Sequence, residues 1–151
     1  MMITDWLRRS ILFAWAIIAV CMVLLGVWAL DRKPPFALIS SDLSYTAAGN
    51  FAVVKAHVRR DLGRNCSAAY SRQFYDSTGV RFDLVNNVVA TPSSIQLLNN
   101  LTPGSLVVTF LVPTTAVKGS GKLVSVLEYR CNPLHYLWPI DVVYSVPMEI
   151  V

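Results

Sequence analysis

The chain is short of charge. Only 15% of its residues are Asp, Glu, Lys or Arg, against about 25% in an ordinary soluble domain. A disordered chain needs the reverse balance, high charge and low hydrophobicity, so that class is excluded. Gly and Pro number only 7 and 8, which excludes collagen-like and linker-like compositions. Two histidines and three cysteines leave no four-ligand zinc set without carboxylates drawn from unrelated loops. Missing too are a Gly-x-Ser-x-Gly elbow, a phosphate-binding glycine loop and a dinucleotide fingerprint. The nine acids show no pairing suited to acid–base work. Neither catalysis nor a cofactor or metal is therefore expected. The net charge of +4 is spread over several segments, without the concentrated basic surface or module of a nucleic-acid binder.

What the chain has in excess is apolar side chains, 54%, and the excess is local. Ser10 to Leu30 is a run without one charge or proline. As a helix its 21 residues would extend roughly 31 Å, the thickness of a bilayer's hydrocarbon core. The run is apolar on every face, unlike an amphipathic surface helix. Trp6 and Trp28 lie near its ends, Arg8 and Arg9 precede it, and Arg32 and Lys33 follow before Pro34 and Pro35 stop the helix. A cleavable signal peptide shares the basic start, and Val27-Trp28-Ala29 offers a cleavage spacing. Yet the run exceeds the usual 7 to 15 residues, which favours a retained signal anchor. The expected plan is a cytoplasmic tail over 1–9, a single transmembrane helix over 10–30, a linker over 31–35 and an extracytoplasmic domain over 36–151. The expected location is thus a membrane, single-pass, with the C-terminal domain periplasmic or extracellular.

The domain reads as all-β. Runs rich in Val, Leu, Phe, Tyr and Thr predict strands at Phe36–Tyr45, Phe51–Arg60, Ser67–Tyr75, Val80–Val89, Ser105–Val112, Leu123–Cys131 and Val142–Ile150, with a weaker one around Ile95–Leu98. Ala52, Val54, Ala56 and Val58 alternate with Lys55, His57 and Arg59, the period of a sheet with one buried face. Turn residues separate the runs, as in Ala48-Gly49-Asn50, Asp76-Ser77-Thr78-Gly79 and Lys118-Gly119-Ser120-Gly121. No segment of the domain shows a sustained helical period. About seven or eight strands with such turns predict an antiparallel β-sandwich.

Cys21 falls inside the apolar run, leaving Cys66 and Cys131 in the domain. An even pair in an oxidising compartment predicts a disulfide. The spacing of 65 resembles that of the inter-sheet bridge in immunoglobulin domains, and Tyr129, two residues before Cys131, resembles their tyrosine corner. The resemblance is one of architecture, and it implies an immunoglobulin-like sandwich.

Two stretches are candidate contact sites. Leu134, Tyr136, Leu137 and Trp138 stand between Pro133 and Pro139, directly after Cys131. Aromatic side chains there would serve as interface anchors or, on the other reading, fold back to plug the end of the core. Arg59, Arg60 and Arg64 form the most concentrated charge of the domain, open to an acidic partner or lipid headgroups or to a solvated turn. The expected partners are the lipid bilayer and another membrane or extracytoplasmic protein, without nucleic acid and with no small-molecule substrate evident. The functional expectation is a non-enzymatic membrane-anchored binding or accessory protein. The alternative is a structural subunit of a larger membrane complex, its helix packed on other transmembrane helices.

Overall fold

A computed structural model describes residues 2–61, 63–101 and 103–151. Helix α1 runs from Met2 to Leu30, so it begins within the expected tail. Its stretch Arg8–Leu30 is long and apolar enough to cross a membrane, and none of that apolar window is buried within the protein. At 1.5 Å per residue, its 23 residues extend about 35 Å. Only its last turn meets the rest of the chain, at Asn132, so α1 does not serve as the core helix of the domain that follows.

About half of the chain, 49%, is strand. The strands are β1 (Phe36–Ser41), β2 (Ser44–Thr46), β3 (Phe51–Arg60), β4 (Ser67–Tyr75), β5 (Arg81–Ala90), β6 (Ser105–Leu111), β7 (Gly119–Arg130) and β8 (Ile140–Ile150). They form a three-stranded sheet in the order β1-β3-β6 and a five-stranded sheet in the order β2-β8-β7-β4-β5. The alternation in β3 falls as its sequence dictates: Ala52, Val54, Ala56 and Val58 are buried, Lys55, His57 and Arg59 exposed. The buried faces of the two sheets meet in one core. Val54 and Phe110 come from one sheet, Phe74, Leu123 and Met148 from the other. Phe74 is fully buried and lies 5.9 Å from both the Phe82 and Phe110 rings. Burial of a side chain of that size stabilises by about 2–3 kcal/mol.

Several expectations need correction. The strand expected over Phe36–Tyr45 is two: the chain breaks at Asp42-Leu43 and leaves one sheet for the other. β2 then pairs with β8 in parallel, so the sheets are antiparallel with one exception. The weak strand at Ile95–Leu98 is instead part of a helix, α2 (Pro92–Leu101). Thr91 precedes it as an N-cap, its hydroxyl accepting from the Ser94 N–H at 3.4 Å, and Pro92 occupies the first turn, where a missing N–H costs nothing. The turn expected at Lys118–Gly121 lies largely inside β7. Gly121 is needed there for close approach, because a Cβ would sit 2.6 Å from the Tyr75 carbonyl oxygen. The turn at Asp76–Gly79 forms as expected, with Gly79 at φ 81°. Asp76 fixes it: its carboxylate accepts from the Thr78 hydroxyl (2.7 Å), from the Thr78 and Val80 N–H groups (3.0 Å each) and, across the fold, from the Val117 N–H (3.1 Å).

The cysteine pair is found, but not between sheets. Cys66 and Cys131 lie at disulfide distance, Sγ–Sγ 2.07 Å, immediately beyond the paired residues Ser67 and Arg130 of β4 and β7. The bridge therefore joins neighbouring strands of the five-stranded sheet. Nor does Tyr129 make a tyrosine corner, since its buried hydroxyl has no partner among the described residues. The hydroxyl that bonds to backbone is that of Tyr144, donating to the Phe36 carbonyl at 2.6 Å.

Candidate functional site: the helix-proximal end and the space between the sheets

The link from α1 to β1 is not a loose tether. Arg32 donates to the carbonyl oxygens of Trp138 and Pro139, both at 3.0 Å, and its guanidinium lies 4.3 Å from the centre of the Trp138 ring. Asn132 donates to the carbonyl of Trp28, in the last turn of α1, at 3.3 Å. From the other side Arg64 pairs with Asp31 and bonds to the carbonyl of Lys33, while the Asp61 N–H donates to the Pro35 carbonyl at 2.7 Å. The aromatic loop, between β7 and β8, and the basic turn, between β3 and β4, thus flank the same end of α1. The Cys66–Cys131 bridge explains the convergence, because one cysteine follows the turn and the other precedes the loop.

Within the loop the open choice between anchor and plug is resolved side chain by side chain. Pro133–Tyr136 forms a short 3-10 turn capped by Asn132, whose side chain accepts from the His135 N–H. The plug is His135, 1% exposed, which the sequence does not single out. Its Nδ1 accepts from the Cys131 N–H at 3.1 Å, and its Nε2 lies 3.2 Å from the Asn132 amide. Leu134 is half-buried, whereas Tyr136, Leu137 and Trp138 are 70%, 87% and 58% exposed. Of the basic residues, Arg59 is exposed. Arg60 donates to the Ser105 carbonyl at 2.7 Å, and Arg64 is committed to the linker, so both act in part as fasteners. Leu62, within the same turn, lies outside the described residues.

A cavity of about 360 Å³ opens between the sheets, within the 300–1,000 Å³ range of small-molecule sites. One wall is Leu38, Ala56 and Leu106 of the three-stranded sheet; the other includes Arg72, Ser125 and Tyr129 of the five-stranded sheet. Exposed Asp61, Ser94 and Gln96 mark its mouth, between α2 and the basic turn. Burial draws the Arg72 guanidinium below its ordinary proton affinity, against an opposing effect of Tyr70, and burial pushes the Tyr129 hydroxyl well above its ordinary pKa. The sequence does not single out Arg72, and the signal that could have found it is its alternation with Tyr70 and Phe74 along β4. Apart from this end, Phe51, Val53, Val107 and Leu111 form exposed apolar positions on paired strands β3 and β6. Among the described residues no group of three or more His, Cys, Asp or Glu is placed to hold a metal ion.

No protein-family model matches the chain, and no curated protein matches it either. Its function has to be argued from the geometry.

Proposed function

We propose that the chain is a non-enzymatic, single-pass membrane-anchored accessory protein that presents an immunoglobulin-like domain on the outer face of a membrane and there holds a second membrane protein. In this reading α1 crosses the bilayer with its N-terminus on the cytoplasmic side. The cysteine pair at disulfide distance suits an oxidising compartment such as the periplasm or cell exterior. The strand order supports the immunoglobulin-like assignment: β3 and β6 take the places of strands B and E, and β5, β4, β7 and β8 those of C′, C, F and G. The departures are α2, standing where a D strand would run, and the bridge within one sheet.

One observation carries the proposal. The loops equivalent to B–C and F–G, the binding loops of variable domains, converge on the end of α1 and leave Tyr136, Leu137 and Trp138 exposed there. A partner reached by these side chains lies at the membrane surface. The aromatic residues anchor the contact, and Arg59 steers the encounter and rims it. The test is a photoreactive amino acid at Leu137 in the full chain, cross-linked in native membranes. Recovery of one membrane protein, lost when Trp138 is also changed to Ala in a folded domain, supports the reading. Adducts to lipid alone, or protein adducts indifferent to Trp138, overturn it.

A further inference from the structure

Arg72 is unexplained by the packing around it. Its guanidinium rests 4.8 Å from the Tyr70 ring centre, and the ion pairs of the described residues, Arg64–Asp31, Arg81–Asp83 and Arg130–Glu128, leave it out. The side chain is half-buried, and a guanidinium that stays charged there without a counterion bears part of its desolvation cost uncompensated. The same cavity contains a second unmet demand. Tyr129 lines it, is 2% exposed, and has a buried hydroxyl with no partner among the described residues. Ser125 faces Arg72 directly in the β4–β7 register and adds a third polar group. Most of the remaining wall is aliphatic, including Leu106, Val108 and Leu127. A cation lining an apolar space, with the Ser125 hydroxyl opposite it, complements a molecule with an alkyl tail and one anionic head.

We propose that the space between the sheets binds a single-chain alkyl carboxylate, with its carboxylate paired to Arg72 and its chain among Leu106, Val108 and Leu127. The cavity suits a short chain: at roughly 30 Å³ per group, about the liquid volume of one water, its 360 Å³ takes about a dozen groups, a chain of about ten carbons. Its mouth carries one acidic side chain, Asp61, on the turn that also holds Arg60 and Arg64.

The probe is decanoic acid bearing a terminal diazirine, photolysed with the full chain in lipid nanodiscs and mapped by peptide mass spectrometry. Adducts are expected on Val108 or Leu127, displaced by excess decanoate and not by decanol. Arg72→Met keeps an unbranched apolar stem without the charge and is expected to cut that labelling at least tenfold. Arg72 belongs to none of the ion pairs of the described residues, so its replacement strands no partner charge, and thermal unfolding of the variant checks that the domain still folds. Should the variant fail to fold, the competition pattern in the wild-type chain decides alone. Adducts confined to α1 would mean simple partition into the bilayer and overturn the proposal. Equal displacement by decanol, or undiminished labelling in folded Arg72→Met, would overturn it as well. Displacement by a lysophosphatidate where decanoate fails would overturn the carboxylate assignment in favour of a phosphate head.

Discussion

Arg32→Ala removes the contacts that hold the aromatic loop against the root of the helix. Two hydrogen bonds to the carbonyls of Trp138 and Pro139 are lost, together with the stacking on the Trp138 ring. One of the two hydrogen bonds is exposed and the other part-buried, so each is assigned about 1 kcal/mol, the typical net value. The exposed cation–π contact adds about 0.5–1 kcal/mol. The sum, about 2.5–3 kcal/mol, falls on local opening of residues 132–139, because the Cys66–Cys131 bridge and the β7–β8 ladder hold the strands independently. Amide exchange reads this directly. The Trp138 N–H donates to the Leu134 carbonyl at 3.0 Å, and its exchange should accelerate roughly 70- to 160-fold at 1.36 kcal/mol per decade. Amides in the centres of β4 and β7 should be unaffected. Arg32→Lys, which keeps the charge and loses the fork, should fall between. Unchanged exchange in the loop would show that Arg32 is not the clamp. Equal acceleration throughout both sheets would show that the loop has no opening of its own.

Reduction of the Cys66–Cys131 bridge, or Cys66→Ser, should lower stability by about 4 kcal/mol, since a 65-residue separation restrains a large unfolded loop. Denaturant titration with and without reductant measures it, and alkylation of all three cysteines in the unreduced, denatured chain would refute it. Gly121→Ala should destabilise by about 1–3 kcal/mol through overpacking, because the obstacle is the Tyr75 carbonyl oxygen at 2.6 Å; an unchanged melting temperature would contradict the close approach. The Asp76 carboxyl is held below its ordinary pKa, chiefly by the Thr78 hydroxyl, with the Val117, Val80 and Thr78 N–H groups adding to this against desolvation. Its contribution is therefore complete above the unfolded value of about 3.9 and is lost as pH falls through the lower folded value. Wild type should lose stability more steeply than Asp76→Asn below about pH 4, and parallel acid titrations of the two would remove Asp76 from the account.

Where hydrophobic period alone decides, the chain is readable. β3 and β4 fall at the expected boundaries, and in β3 the reason is alternation over ten residues, which tolerates one register only. Phe36–Tyr45 is uniformly strand-like, and nothing within it states that the two halves serve different sheets; that division is made by pairing with β3 and β8. α2 escapes the sequence because its 10 residues hold too few apolar positions to show a helical period. The exposed aromatic loop and the basic turn were found one at a time. Their shared location was implicit in the cysteine pairing, since Arg64 and Leu134 lie two and three residues from bridged positions. The cavity was not legible, because Arg72, Ser125 and Tyr129 converge only when β4 and β7 pair.

The fastened linker has a mechanical consequence. Five residues of free chain between helix and domain would let the domain swivel, and a twist of the helix about its own axis would dissipate there. Here Asp31, Lys33 and Pro35 are tied to the β3–β4 side, and Trp28 and Arg32 to the β7–β8 side. The joint behaves as a splined coupling. Rotation or tilt of α1 turns both sheets with it, and force applied to the sheets returns as torque on the helix.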